Sequence, residues 1–127
     1  IEDSFNIQQI DSICKLRYKN LVERKRKTKD SIVYYDFVRN TNNLLEIKLI
    51  VKKENKLLAF EYFHDELIRV FILLPRLKNE PRAGFYYFSK GRFIGKKEYN
   101  FILNTDPNKL IDDSKYLQQS AKQYLTL

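Results

Sequence analysis

The spacing of apolar residues changes from a helical period to a strand period near residue 30. Before that point apolar side chains recur every three or four residues, at Ile7, Ile10, Cys14, Tyr18 and Leu21. This spacing places them on one side of a helix. The pattern therefore predicts an N-terminal helix over residues 4–26.

From residue 31 onward, β-branched and aromatic residues alternate with polar ones, which is typical of strands with one core face. The alternation predicts about six strands, over residues 31–39, 44–52, 57–63, 67–74, 84–89 and 92–102. Between the last two hairpins, Pro75 and Pro81 oppose regular pairing and predict a loop over residues 75–83.

The C-terminal segment returns to the helical period. Asp106 can cap a helix and Pro107 suits its first position. This predicts a helix over residues 107–126. The whole chain, residues 1–127, is then a single α+β domain. We expect an antiparallel meander sheet with an N-terminal and a C-terminal helix on the same face.

An aromatic hairpin phrase occurs twice, as YFHDELI at residues 62–68 and as YFSKGRFI at residues 87–94. With the order of elements over residues 7–126, these phrases resemble a family of uncharacterised exported proteins and lipoproteins of Bacteroidota-type bacteria. The first phrase departs from the family pattern because it lacks the turn glycine. The resemblance implies a small α+β domain and a periplasmic or membrane-anchored location, with no catalytic residues or cofactor to carry over.

The composition excludes several classes of protein but does not identify a partner. At 43% hydrophobic residues the chain of 127 residues is too apolar to be disordered, and no apolar run is long enough to span a membrane. One cysteine allows no internal disulfide. The chain starts at Ile1 rather than Met, so we expect a mature or trimmed form, and removal of a targeting segment is one way to produce it.

The net charge of +8 is concentrated in one segment, residues 15–29, which holds eight basic residues and one acid. Its centre, Arg24, Lys25, Arg26 and Lys27, is the candidate contact for nucleic acid, since clustered cations neutralise phosphates. The same run would suit an anionic lipid or polysaccharide surface. The alternative is a solvated helix end whose bases complement the helix dipole.

A second apolar row is predicted on the fourth strand, where Leu67, Phe71 and Leu73 share a face with Arg69, opposite the face of Ile68. Two helices on one face would leave this row uncovered. It is therefore a candidate surface for a protein partner, a small ligand or a second copy of the chain. The alternative is cover by the 75–83 loop or by sheet curvature.

The sequence offers little for catalysis or metal binding. A Cys14–His64 pair would need a helix residue and a turn residue to meet, and the His64-Asp65-Glu66 turn points its side chains apart. We expect no cofactor and no enzyme activity. The expected function is a non-enzymatic extracytoplasmic binding domain, and the alternative is an intracellular nucleic-acid-binding protein that uses residues 15–29.

Overall fold

In the computed structural model, the fold is an antiparallel meander of seven strands flanked by two helices. The structure describes residues 5–16, 21–39, 41–99 and 103–124, except the side chain of Leu77. Each strand pairs with its neighbours in the chain, so the sheet order is the sequence order. The elements are α1 Ile7–Lys15, β1 Leu21–Lys27, β2 Ser31–Val38, β3 Leu44–Val51, β4 Lys56–Phe63, β5 Glu66–Leu77, β6 Glu80–Ser89, β7 Arg92–Tyr99 and α2 Pro107–Ala121, followed by a short 3-10 helix, Lys122–Tyr124. The predicted α+β class, the antiparallel meander and the two terminal helices are confirmed.

The seventh strand is β1, which lies in the segment predicted to continue the N-terminal helix. That prediction was wrong at Leu16, which has an extended backbone, and from Leu21 onward, because Leu21–Lys27 pairs with β2 along its whole length; residues 17–20 lie outside the described residues. Lys, Arg and Glu favour helices only by tenths of a kcal/mol per residue. Strand pairing on the open edge of β2 outweighs this preference, and the lysines on β1 then suit a sheet edge.

The two helices lie on opposite faces of the sheet, which corrects the prediction that they share one. Neighbouring residues of β6 show this directly, because Tyr86 belongs to the large core under α2 and Tyr87 packs against Ile10 of α1. Successive side chains of a strand point to opposite faces. Each helix therefore buries its own side of the sheet.

The helices begin where the sequence supplies caps. Asn6 and Gln9 form a reciprocal capping box at α1, while Asp106 accepts a hydrogen bond from Asn108 N at α2 with Pro107 in the first turn. In the core, Tyr62 Oη and Ser114 Oγ lie 2.8 Å apart, joining β4 to α2.

The predicted loop over residues 75–83 is a tight turn instead. β5 continues to Leu77 and β6 begins at Glu80, with Lys78 and Asn79 both at positive φ. Pro75 lies where the β5–β6 register shifts, and its carbonyl accepts a hydrogen bond from Arg82 Nε at 2.7 Å. An irregular position can hold a proline without losing a ladder bond, so the hairpin survives.

A register shift in the β4–β5 pair also changes the predicted faces of the fourth strand. Leu67 is opposite Tyr62 and packs against the core under α2, whereas Ile68 packs with Tyr87 under α1. The sequence prediction had assigned these two residues the other way round. A bulge of one residue exchanges the faces on either side of it.

The turn of the first hairpin has two residues, His64 and Asp65, both at positive φ, as Lys90 and Gly91 are in the second. Some predicted features lie outside the described residues. They are Tyr18 of the helical pattern, the turn residue Asn40, the end of the predicted sixth strand at Ile102 and the end of the predicted C-terminal helix at Leu125.

Candidate functional site

A cavity of about 330 Å³ lies between the C-terminal half of α1 and the sheet, where strands β2 to β4 supply most of the lining and β1 and β5 add Leu21 and Ile68. Ile13 and Cys14 of α1 line it on one side, and Leu44, Leu45 and Ile68 line it from the sheet. Its polar lining includes Asp36, Glu46, Lys48, Glu61 and His64. A largely apolar cavity of this size with a few converging polar groups is the usual form of a small-ligand site.

The three acids of the lining, Asp36, Glu46 and Glu61, belong to one row of residues that runs across the sheet on the α1 side. Adjacent strands place four acids directly opposite one another, followed by a base: Glu23, Asp36, Glu46, Glu61 and Arg69. Like charges in directly opposite positions destabilise a sheet. The repulsion among these acids therefore lowers the stability of the sheet, so the need for a stable fold does not explain the row.

At the β4 and β5 end the row is neutralised. The Arg69 guanidinium bonds both carboxylate oxygens of Glu61, reaches Asp11 of α1 at 3.1 Å and lies over the ring of Phe85, 4.2 Å from its centroid. Asp11 also accepts from Tyr87 Oη at 2.7 Å. Burial would raise the pKa of Asp11, but the hydrogen bonds from Lys97, Tyr87 and Arg69 outweigh it and lower that pKa. This cluster fastens α1 to the sheet.

At the β2 end the row is not neutralised. Asp36 is only 7% exposed, and burial raises the pKa of its carboxyl to about 6. Lys48 opposes the rise, while the charges of Glu23 and Glu46 add to it. Lys48 lies 3.5 Å from Glu46, with which it forms an ion pair. Asp36 thus enters the cavity as a buried acid whose ionised form is costly.

Cys14 and His64, the pair considered for catalysis, both line this cavity. Burial and the nearby Glu61 charge raise the pKa of the Cys14 thiol to about 12. The nucleophilic form of cysteine is the thiolate, and reactive cysteines have lowered rather than raised pKa values. The His64 ring packs edge-on against Phe63, with centroids 4.2 Å apart.

The basic run lies on both faces of the edge strand β1. Arg24 is opposite Tyr35, a core residue under α2, and Lys25 is opposite Tyr34 on the other face. Arg26 Nε is buried without a hydrogen-bond partner among the described residues. Lys25 and Lys27 are exposed, whereas the two arginines are half-buried. The four cations therefore do not form one patch.

The predicted surface on the fourth strand is similarly divided. Arg69 is engaged under α1 and Leu67 packs into the other core. Phe71 contacts the Phe85 ring, with centroids 5.0 Å apart, and Leu73 is 36% exposed. Leu73 belongs to an apolar row across the sheet beyond α1, formed by Ile32, Ile50, Leu57, Leu73, Ala83 and Tyr99.

Sequence reasoning missed Asp36, Glu46 and Glu61 as site residues. One signal was present: Asp36 interrupts a run of apolar and aromatic residues in the middle of β2. Aspartate is disfavoured in strands, and a carboxylate in a buried strand is costly. The alignment of three acids across strands required the register, which the sequence does not state.

Comparison with protein-family models, with curated proteins and with solved structures finds no match to this chain. In the described part of the chain, the helices are too short and too polar to cross a membrane. Nor do the described residues bring three or more His, Cys, Asp or Glu side chains together in an arrangement suited to a metal ion.

Proposed function

We propose that the protein is a non-enzymatic binding domain that acts outside the cytoplasm and takes a small ligand into the cavity between α1 and strands β2 to β4. The observation that carries the proposal is the cavity itself, about 330 Å³, with apolar walls and a buried carboxyl at Asp36. Side chains that lower the stability of a fold are common at functional sites. The raised pKa of Cys14 supports binding rather than nucleophilic catalysis.

The location outside the cytoplasm rests on the resemblance of the two aromatic hairpins, and cell fractionation of the native protein tests it. Nucleic-acid binding by residues 15–29 is the alternative proposal. It has less support, because β1 divides its cations between two faces. A protein partner or a second copy of the chain on the apolar row beyond α1 is compatible with the cavity proposal, since the two surfaces are separate.

The cavity is tested with N-phenyl-1-naphthylamine, a dye that is neutral at pH 7.5 and fluoresces in apolar sites. We expect saturable binding to the native protein. Ile13→Trp and Leu45→Trp, which fill the cavity from α1 and from the sheet, should each weaken binding by about tenfold or more. Ser12→Trp, at an exposed position of α1, is the matched control and should bind as the native protein does.

Circular dichroism and thermal unfolding of each variant establish that it is folded before binding is compared. The proposal is wrong if the native protein shows no saturable binding. It is also wrong if both filling variants are folded and bind the dye as well as the Ser12→Trp control does.

A further inference from the structure

The charges around the cavity do not balance at its β2 end. Two of the row's acids have cations: Glu46 pairs with Lys48, and Glu61 pairs with Arg69. The other two, Glu23 and Asp36, face each other across β1 and β2. Neither forms an ion pair with a cation of the described residues. Glu23 is exposed and is not one of the residues that line the cavity, so Asp36 is the cavity-lining carboxyl at this end without a cation.

Asp36 is the buried member of that pair. Asp36 is 7% exposed and is one of the residues that line the cavity. Glu23 lies directly opposite on β1, and its charge adds to the cost of ionising Asp36. At neutral pH a cationic donor on a ligand would satisfy the buried carboxylate.

The rest of the lining describes the other part of the ligand. Besides the paired charges Glu46, Lys48 and Glu61, the lining is largely hydrocarbon, which includes Ile13, Leu44, Leu45 and Ile68. A hard metal cation is bound by several oxygens in an open polar site and gains nothing from such walls. An organic cation with a hydrocarbon body matches both the acid and the walls.

Building on the proposed binding function, we propose that the cavity binds a small organic amine. Its ammonium group lies against the Asp36 carboxylate, and its hydrocarbon body lies against the α1 side of the cavity. The ammonium supplies the positive charge that Asp36 lacks. A charge-assisted hydrogen bond of this kind is stronger than a neutral one, which gives the site its selectivity for cations.

The test compares three ligands with the same hydrocarbon body: octylammonium, octanol and octanoate, each displacing N-phenyl-1-naphthylamine at pH 7.5 below its micelle concentration. We expect octylammonium to displace the dye at a concentration about tenfold lower than octanol, and octanoate to be the weakest. Asp36→Asn should reduce the affinity for octylammonium to that for octanol. Asp112→Asn, at an exposed position of α2, is the matched control and should retain the native preference.

The outcomes separate this inference from the binding function on which it rests. If the dye binds but octanol or octanoate competes as well as octylammonium, the amine proposal is wrong and the cavity proposal stands. If Asp36→Asn keeps the full preference for the amine, Asp36 is not the anchor and the inference fails. If the dye itself does not bind saturably, both proposals fail.

Discussion

Replacing Asp36 by asparagine should stabilise the protein at neutral pH, although it changes a buried polar residue. Burial raises the pKa of the Asp36 carboxyl from 3.8 to about 6. The folded protein therefore holds this proton more tightly than the unfolded chain does, so the stability that it contributes is present below pH 4. That stability is lost as the pH rises through about 6.

The size of the effect follows from the same shift. Each pKa unit corresponds to about 1.4 kcal/mol, so the ionised carboxyl lowers the free energy of unfolding at pH 7.5 by at most about 3 kcal/mol. A cavity of about 330 Å³ has room for water, which reduces the penalty of burying a charge. We therefore expect a gain of about 1–2 kcal/mol for Asp36→Asn at pH 7.5 and almost none at pH 4.

Burial is the main cause of the shift, the charges of Glu23 and Glu46 add to it, and Lys48 opposes it. The other titratable residues that line the same cavity are Glu61, Cys14 and His64. Because the native protein and the variant share every titratable group except Asp36, the difference between their unfolding free energies is the quantity to compare, rather than either curve alone.

Urea unfolding followed by circular dichroism at pH 4, 5, 6 and 7.5 measures the prediction. The difference in unfolding free energy should grow across this range. Asp112→Asn, the exposed control on α2, should stay within about 0.5 kcal/mol of the native protein at every pH. A loss of stability for Asp36→Asn at pH 7.5, or an equal gain at pH 4 and pH 7.5, would refute the reasoning.

The remaining predictions concern the cluster that fastens α1 and the thiol in the cavity. Arg69→Ala leaves Glu61 and Asp11 without their shared cation. We expect the free energy of unfolding, measured in urea at pH 7.5, to fall by about 3 kcal/mol. A fall of less than about 1 kcal/mol would contradict a structural role for Arg69. Cys14, the chain's one cysteine, should react with iodoacetamide at pH 8.5 at least about tenfold more slowly in the folded protein than in urea, because burial raises the pKa of its thiol to about 12. Mass spectrometry measures both rates. Equal rates would show that the thiolate is accessible in the folded protein.

The elements that were predicted well are those whose signal is local. The strands from residue 31 to residue 63 alternate clearly, and α2 has both a cap and a proline at its start. The prediction failed where pairing outweighed local preference. β1 has helix-forming residues but completes a sheet edge, and Pro75 lies in an irregular position of a hairpin.

The sequence by itself determined the α+β class, the antiparallel meander and the terminal helices, because hydrophobic period and capping are properties of neighbouring residues. The tertiary structure decided the number of strands, the opposite placement of the helices and the cavity. Asp36, Glu46 and Glu61 are up to 25 residues apart in the chain and lie in one row because of strand register. Register depends on bulges and long-range pairing, so only the folded sheet brings these acids together.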